Sequence, residues 1–156
     1  MSAYKKRYTT YRANAPLEYK KYRVKSAIKS FRDLEVYKKT NQYAAELFQF
    51  KVPKSAQYLK EEVALLRDMA KHIPKLIAES YGDRFSEPET AFKKLERTAQ
   101  YFSNVITKID FLLMSMGDKD KEKKDFLLKI LKKYQIQRVK VLNLKRAWER
   151  IYGEKR

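Results

Sequence analysis

The sequence predicts an all-α protein, an antiparallel up-down-up-down four-helix bundle preceded by a basic N-terminal arm. Three observations carry this expectation. The 156 residues include only three glycines and four prolines, too few for a β-sandwich or a loop-rich enzyme, and the length suits one domain. Apolar residues recur in steps of three and four through four separate segments, the spacing that gathers side chains on one helical face. Pro53, Gly82, Gly117 and Gly153 stand at the ends of those segments, where they stop helices.

Residues 1–30 lack such a stripe, turn around Ala13-Asn14-Ala15-Pro16, and read as an arm; the bundle is expected over 31–153. The first helix, about 33–50, carries Leu34, Tyr37, Asn41, Ala44 and Phe48. The second, about 55–81, has Ser55 as its N-cap and a seam of Leu59, Val63, Leu66, Ala70, Ile73, Ile77 and Ser80. That seam passes straight through Pro74, where a kink is expected because proline removes a backbone donor. Ser86 and Glu89 have capping-box spacing, with Pro88 in the first turn of a third helix, about 87–116. Its seam is Phe92, Leu95, Ala99, Phe102, Ile106, Ile109, Leu113 and Met116. The fourth, about 119–151, places Leu127, Ile130, Tyr134, Gln137, Val141, Leu144, Trp148 and Ile151 on one stripe. Short connections between helices of similar length fold most simply as neighbours in an up-down bundle.

Charge is the second informative feature. The net charge is +18, and residues 1–30 hold nine Lys/Arg against Glu18 while residues 126–156 hold ten against Glu149 and Glu154. The middle of the chain is nearly neutral, so the two ends carry the field. In the arm, Lys5, Lys6, Arg7, Arg12, Lys20, Lys21, Arg23, Lys25 and Lys29 are interleaved with tyrosines, among them Tyr8, Tyr11 and Tyr22. Cations neutralise phosphates and aromatic faces stack on unpaired bases, so this pairing suits single-stranded RNA. A solvated tail is the alternative, but such tails are usually poor in aromatics. On the fourth helix Lys129, Lys132, Lys133, Arg138, Lys140, Lys145, Arg146 and Arg150 all avoid the seam and are expected to form a basic outer ridge, with Glu149 the one acid among them. Ile136 and Val139 interrupt that face and point to a protein contact there.

Catalysis has little to work with, and a non-catalytic protein without metal or cofactor is expected. The absence of cysteine removes disulfides, thiolate metal sites and thiol nucleophiles, and fits a reducing compartment. His72 is the one histidine, and Met69 stands where a Glu-x-x-His metal motif would need glutamate. Asp118, Asp120 and Glu122 alternate like a calcium loop, but Lys123 occupies the position of its turn glycine, so they read as helix-start acids. The longest apolar runs are four residues, such as Val63-Ala64-Leu65-Leu66, too short to span a bilayer, and a cytoplasmic protein is expected.

Two phrases carry a family resemblance. Phe31-Arg32-Asp33-Leu34-Glu35-Val36-Tyr37 resembles the opening of the 23S rRNA intervening-sequence protein family, and Ile73-Pro74-Lys75-Leu76-Ile77-Ala78-Glu79-Ser80-Tyr81-Gly82 resembles its Ile-Pro, Ile-Ala-Glu, Gly phrase. The superfamily includes the accessory variability protein of diversity-generating retroelements, and Trp148 is similar to a tryptophan of that branch. The resemblance covers about 31–117 and departs from the pattern at Asp68, Leu76, Ser80 and Tyr101-Phe102. It implies a four-helix, homopentameric RNA-binding protein acting on ribosomal or retroelement RNA, with a reverse transcriptase as a further partner. Tyr58, Leu65, Met69 and Leu76 flank the second seam, and Tyr101, Val105 and Leu112 the third. These could simply widen the buried faces; joined to the resemblance, they are expected to be oligomer contacts. The alternative function is a module that docks an acidic protein partner on the basic surface.

Overall fold

The computed structural model describes residues 30–153. The chain divides into two units, Met1–Asp33 and Leu34–Arg156. Within the described part of the first, Phe31–Asp33 forms a turn of 3-10 helix. The Asp33 N–H donates to the Ser30 carbonyl at 3.0 Å and the Ser30 N–H to the Asp33 carboxylate at 3.2 Å.

The second unit contains α1 (Glu35–Gln49), α2 (Lys60–Asp83), α3 (Pro88–Ser115) and α4 (Lys121–Tyr152), and the described residues include no strand. Short 3-10 segments, Lys54–Leu59 and Asp118–Asp120, lead into α2 and α4. Each helix packs on the next in the chain, and α4 returns onto α1. Partner numbers run in opposite senses along these seams. From the α2 side to α3, Tyr58 reaches Ser115, Glu62 pairs with Lys108, His72 stacks on Tyr101 and Asp83 pairs with Lys94. From α1 to α4, Phe50 stacks on Phe126, Glu46 pairs with Lys133 and Glu35 with Lys140.

The core explains which stripes form helices. All seven expected seam residues, Leu59 at the end of the 3-10 segment and six more on α2 as far as Ser80, are buried, and the helix runs unbroken through the buried Pro74. The α1 seam is displaced, and the α3 seam is wider than expected. On α1 the buried stripe is Val36, Thr40, Tyr43, Ala44 and Leu47; Asn41 and Phe48, expected inside, are exposed. On α3 and its C-cap six of the eight expected seam residues, Phe92, Leu95, Ala99, Phe102, Ile109 and Met116, are buried, and Ile106 and Leu113 are half-buried. Ala91, Thr98, Val105 and Leu112 are buried as well, so the face that meets the core is wider than the expected stripe and extends to the side of these four. On α4 Leu127, Ile130, Tyr134, Gln137, Val141 and Trp148 are buried as expected, Leu144 is half-buried, and Ile151 is exposed near the helix end.

Helix ends also differ from the sequence reading. Ser55 caps nothing: it lies in the 3-10 segment and donates to the Asp120 carboxylate at 2.9 Å, tying the approaches to α2 and α4 together. The Ser86–Glu89 capping box does not form, because Pro88 takes the first helical position and makes Glu87 the cap residue. The C-terminus of α1 is held by Arg67 of α2. Its Nε donates to the Leu47 carbonyl at 3.0 Å and its terminal nitrogen to that of Phe50, the cation-on-carbonyl arrangement a helix end favours.

Tyr134 sits at the centre of the core, edge-on to Tyr43 at 5.5 Å and to Phe102 at 5.9 Å, and its buried hydroxyl has no hydrogen-bond partner among the described residues. Burial pushes its phenol well above the ordinary tyrosine range, so the folded chain favours the neutral ring. Below about pH 10 this group leaves stability independent of pH; above it the unfolded chain ionises first and stability falls. Tyr134→Phe is expected to raise unfolding free energy near neutrality by about 1 kcal/mol, by removing the orphaned hydroxyl, and to flatten the decline above pH 10. Urea unfolding followed across pH 7 to about 11 checks both parts.

Candidate nucleic-acid interface

With one face of α4 committed to the core, the other positions are sorted by angle around the helix. Lys129, Lys132, Arg146 and Arg150 lie on the exposed side, and none has an ion pair among the described residues. Arg146 donates to Asn143 at 2.8 Å. Between these two cationic pairs Ile136 and Val139 are 56% and 55% exposed. Instead of an unbroken ridge, the outer face therefore carries two basic clusters separated by an apolar patch.

The remaining four of the eight expected ridge cations sit elsewhere. Lys133 and Lys140 flank α4 on the α1 side, 3.7 Å from Glu46 and 3.0 Å from Glu35. On the α3 side Lys145 lies 2.8 Å from Glu149 and 3.7 Å from Glu96, and the hydrogen bond to Glu149 raises its ammonium above the ordinary lysine value. Their ammonium groups therefore face the chain's own carboxylates, unlike those of Lys129 and Lys132, which have no ion pair among the described residues. Arg138 is half-buried in a groove with Ser103, Ile106 and Thr107 of α3, and its Nε is enclosed without a hydrogen-bond partner among the described residues. It does not stand on the outer face either. The carboxylates Glu35, Glu46 and Glu96 were missed by the sequence reading. No local pattern marks them, since Glu35 and Lys140 are 105 residues apart.

The arm residues Lys5, Lys6, Arg7, Tyr8, Tyr11, Arg12, Lys20, Lys21, Tyr22, Arg23, Lys25 and Lys29 lie outside the described residues. Of the expected oligomer contacts, Tyr58 and Leu65 are exposed, and Tyr58 donates its hydroxyl to the Ser115 carbonyl at 2.6 Å. Met69 and Tyr101 are half-buried, packed against the core. Val105 and Leu112 are 0% exposed and Leu76 is buried, so these three are already covered within one chain and offer nothing to a second copy.

His72 lies in the seam between α2 and α3. Its Nδ1 bonds the Asp68 carbonyl at 2.8 Å, which makes that nitrogen the donor, and its ring stacks on Tyr101 at 5.1 Å. Asp120 accepts from Ser55, and Asp118 lies 3.8 Å from Lys124. Among the described residues no three His, Cys, Asp or Glu side chains gather as a metal site, and no helix is long and apolar enough to cross a membrane. Comparison with family models, with curated proteins and with solved structures found no match for this chain.

Proposed function

We propose that this chain is a non-catalytic, homo-oligomeric RNA-binding scaffold acting on ribosomal or retroelement RNA, with a reverse transcriptase as a further partner. The observation that carries the reading is the outer side of α4, where Lys129, Lys132, Arg146 and Arg150 are exposed without a carboxylate partner among the described residues. A cation in that state gains more from a phosphate than one already paired, because no internal contact must be broken first. The charge of the arm adds to it. The two family-like phrases support an RNA of the intervening-sequence or retroelement kind, and exposed Leu65 and Tyr58 support self-association, pentameric by the same resemblance. RNA affinity is expected to fall steeply with salt, and deletion of residues 1–29 to flatten the slope of log K against log salt. Titration at several salt concentrations checks this, and binding that ignores salt would overturn it.

A second reading rests on Ile136 and Val139. Two exposed aliphatic side chains bordered by lysines and arginines suit an acidic protein partner with an apolar centre. Under that reading a complex captured with the chain survives nuclease treatment and is lost in Ile136→Asp.

A further inference from the structure

The turn after α2 brings two side chains against the last turns of α4 in an arrangement the packing of the core does not require. The guanidinium carbon of Arg84 lies 3.5 Å from the Tyr81 ring centroid, 4.2 Å from that of Phe85 and 5.9 Å from that of Tyr152. Phe85 meets Tyr152 edge-on at 5.1 Å, and Trp148 joins the group 6.3 Å from Tyr81 and 6.4 Å from Tyr152. One terminal nitrogen of Arg84 donates to the Tyr81 carbonyl, and no carboxylate pairs with the guanidinium among the described residues. Exposure rises outward through the cluster: Trp148 is buried, Tyr81, Arg84 and Tyr152 are half-buried, and Phe85 is 68% exposed.

Each part restricts the ligand. An aromatic cage commonly holds a cation supplied by a ligand. Here the chain's own Arg84 fills that place, so a second cation is repelled and an anion is attracted. The rings hold the guanidinium in position, which lowers the ordering cost of presenting it. Phe85 offers an exposed flat apolar face beside that charge. A group that combines a flat apolar face with an adjoining negative charge is a nucleotide, and its base is free to stack only when unpaired. We propose that Arg84 and Phe85 form a stacking platform for an unpaired nucleotide of single-stranded RNA, the base on Phe85 and its phosphate on Arg84. This rests on the RNA-binding reading and adds to it a preference for single strands.

The test compares a short labelled oligo(U) strand with a blunt RNA duplex, both titrated with the full chain at one salt concentration. Phe85→Ala is expected to weaken oligo(U) binding about fivefold or more while leaving duplex affinity unchanged, with Phe85→Tyr restoring it. Because Phe85 is exposed, the variant should fold, which circular dichroism checks. Trp148, the one tryptophan, should change its emission when oligo(U) binds. An equal loss for both RNAs, or no loss for either, overturns the platform. So does binding to phosphatidylserine vesicles that depends on Phe85 while oligo(U) binding does not. If oligo(U) and duplex bind and both affinities depend on Lys132 and Arg150 but not on Phe85, the platform fails alone. If the wild-type chain binds neither RNA, the broader reading fails with it.

Discussion

Replacing Lys129, Lys132, Arg146 and Arg150 together by glutamate is expected to weaken RNA binding by about 100-fold or more at 0.1 M salt, and to lower the slope of log K against log salt by about 3. The magnitude follows from counterion release, since each phosphate contact contributes roughly 0.7 to 0.9 to that slope. The fold should tolerate the change, because all four side chains are exposed and make no internal ion pair among the described residues. The matched control is neutralisation of Lys133, Lys140 and Lys145 to glutamine. Those cations face Glu46, Glu35, Glu96 and Glu149, so their loss should reduce stability by up to about 1 kcal/mol each and leave RNA affinity far less affected. Anisotropy titrations and urea unfolding on the same variants separate the two effects. Similar affinity losses in both sets would mean that total charge, rather than its placement on α4, governs binding.

Leu112→Ala should have the largest effect on stability, a loss of about 2–5 kcal/mol, because the removed methyl groups come from a side chain that is 0% exposed in the core. Leu113→Ala, one residue on and half-buried, should cost roughly 1 kcal/mol. A seam drawn from the sequence through Leu113 reverses that order, so urea unfolding of the pair tests the placement directly. The unfolding midpoint also distinguishes a core role from a contact between copies. Were Leu112 at a subunit contact, the midpoint would depend on protein concentration and the substitution would abolish that dependence.

How much of the molecule was legible in its sequence depends on what each signal reports. The existence and order of the helices were clear because apolar spacing and the stops at Pro53 and Gly117 are local; α2 runs through Gly82, the expected stop, and ends at Asp83. The whole α2 seam was readable, since its alternating steps follow the true helical period through Ile73 and Ile77. On α3 most of the expected stripe, from Phe92 to Met116, is buried, but the half-burial of Ile106 and Leu113 and the added burial of Ala91, Thr98, Val105 and Leu112 depend on which neighbours the helix meets, and that information is nonlocal. The candidate site shows the same limit. Exposed positions on α4 followed from the helical period, but which lysines would be neutralised depended on Glu35, Glu46 and Glu96, all distant in sequence. Arg84 and Phe85 gave no signal because Tyr81 alone of the surrounding rings is local, and Trp148 and Tyr152, which complete the cluster, lie more than sixty positions further on.

The outer side of α4 also sets a length scale. At about 1.5 Å per residue, the centres of the Lys129–Lys132 and Arg146–Arg150 clusters stand roughly 26 Å apart along a nearly straight line. A strand of B-form DNA winds away from any such line and returns only after about 34–36 Å, so a rigid B-form duplex does not lay one strand across both clusters. An extensible strand has no fixed pitch to satisfy, and it can adjust its path to touch the two points in succession with Ile136 and Val139 beneath its bases.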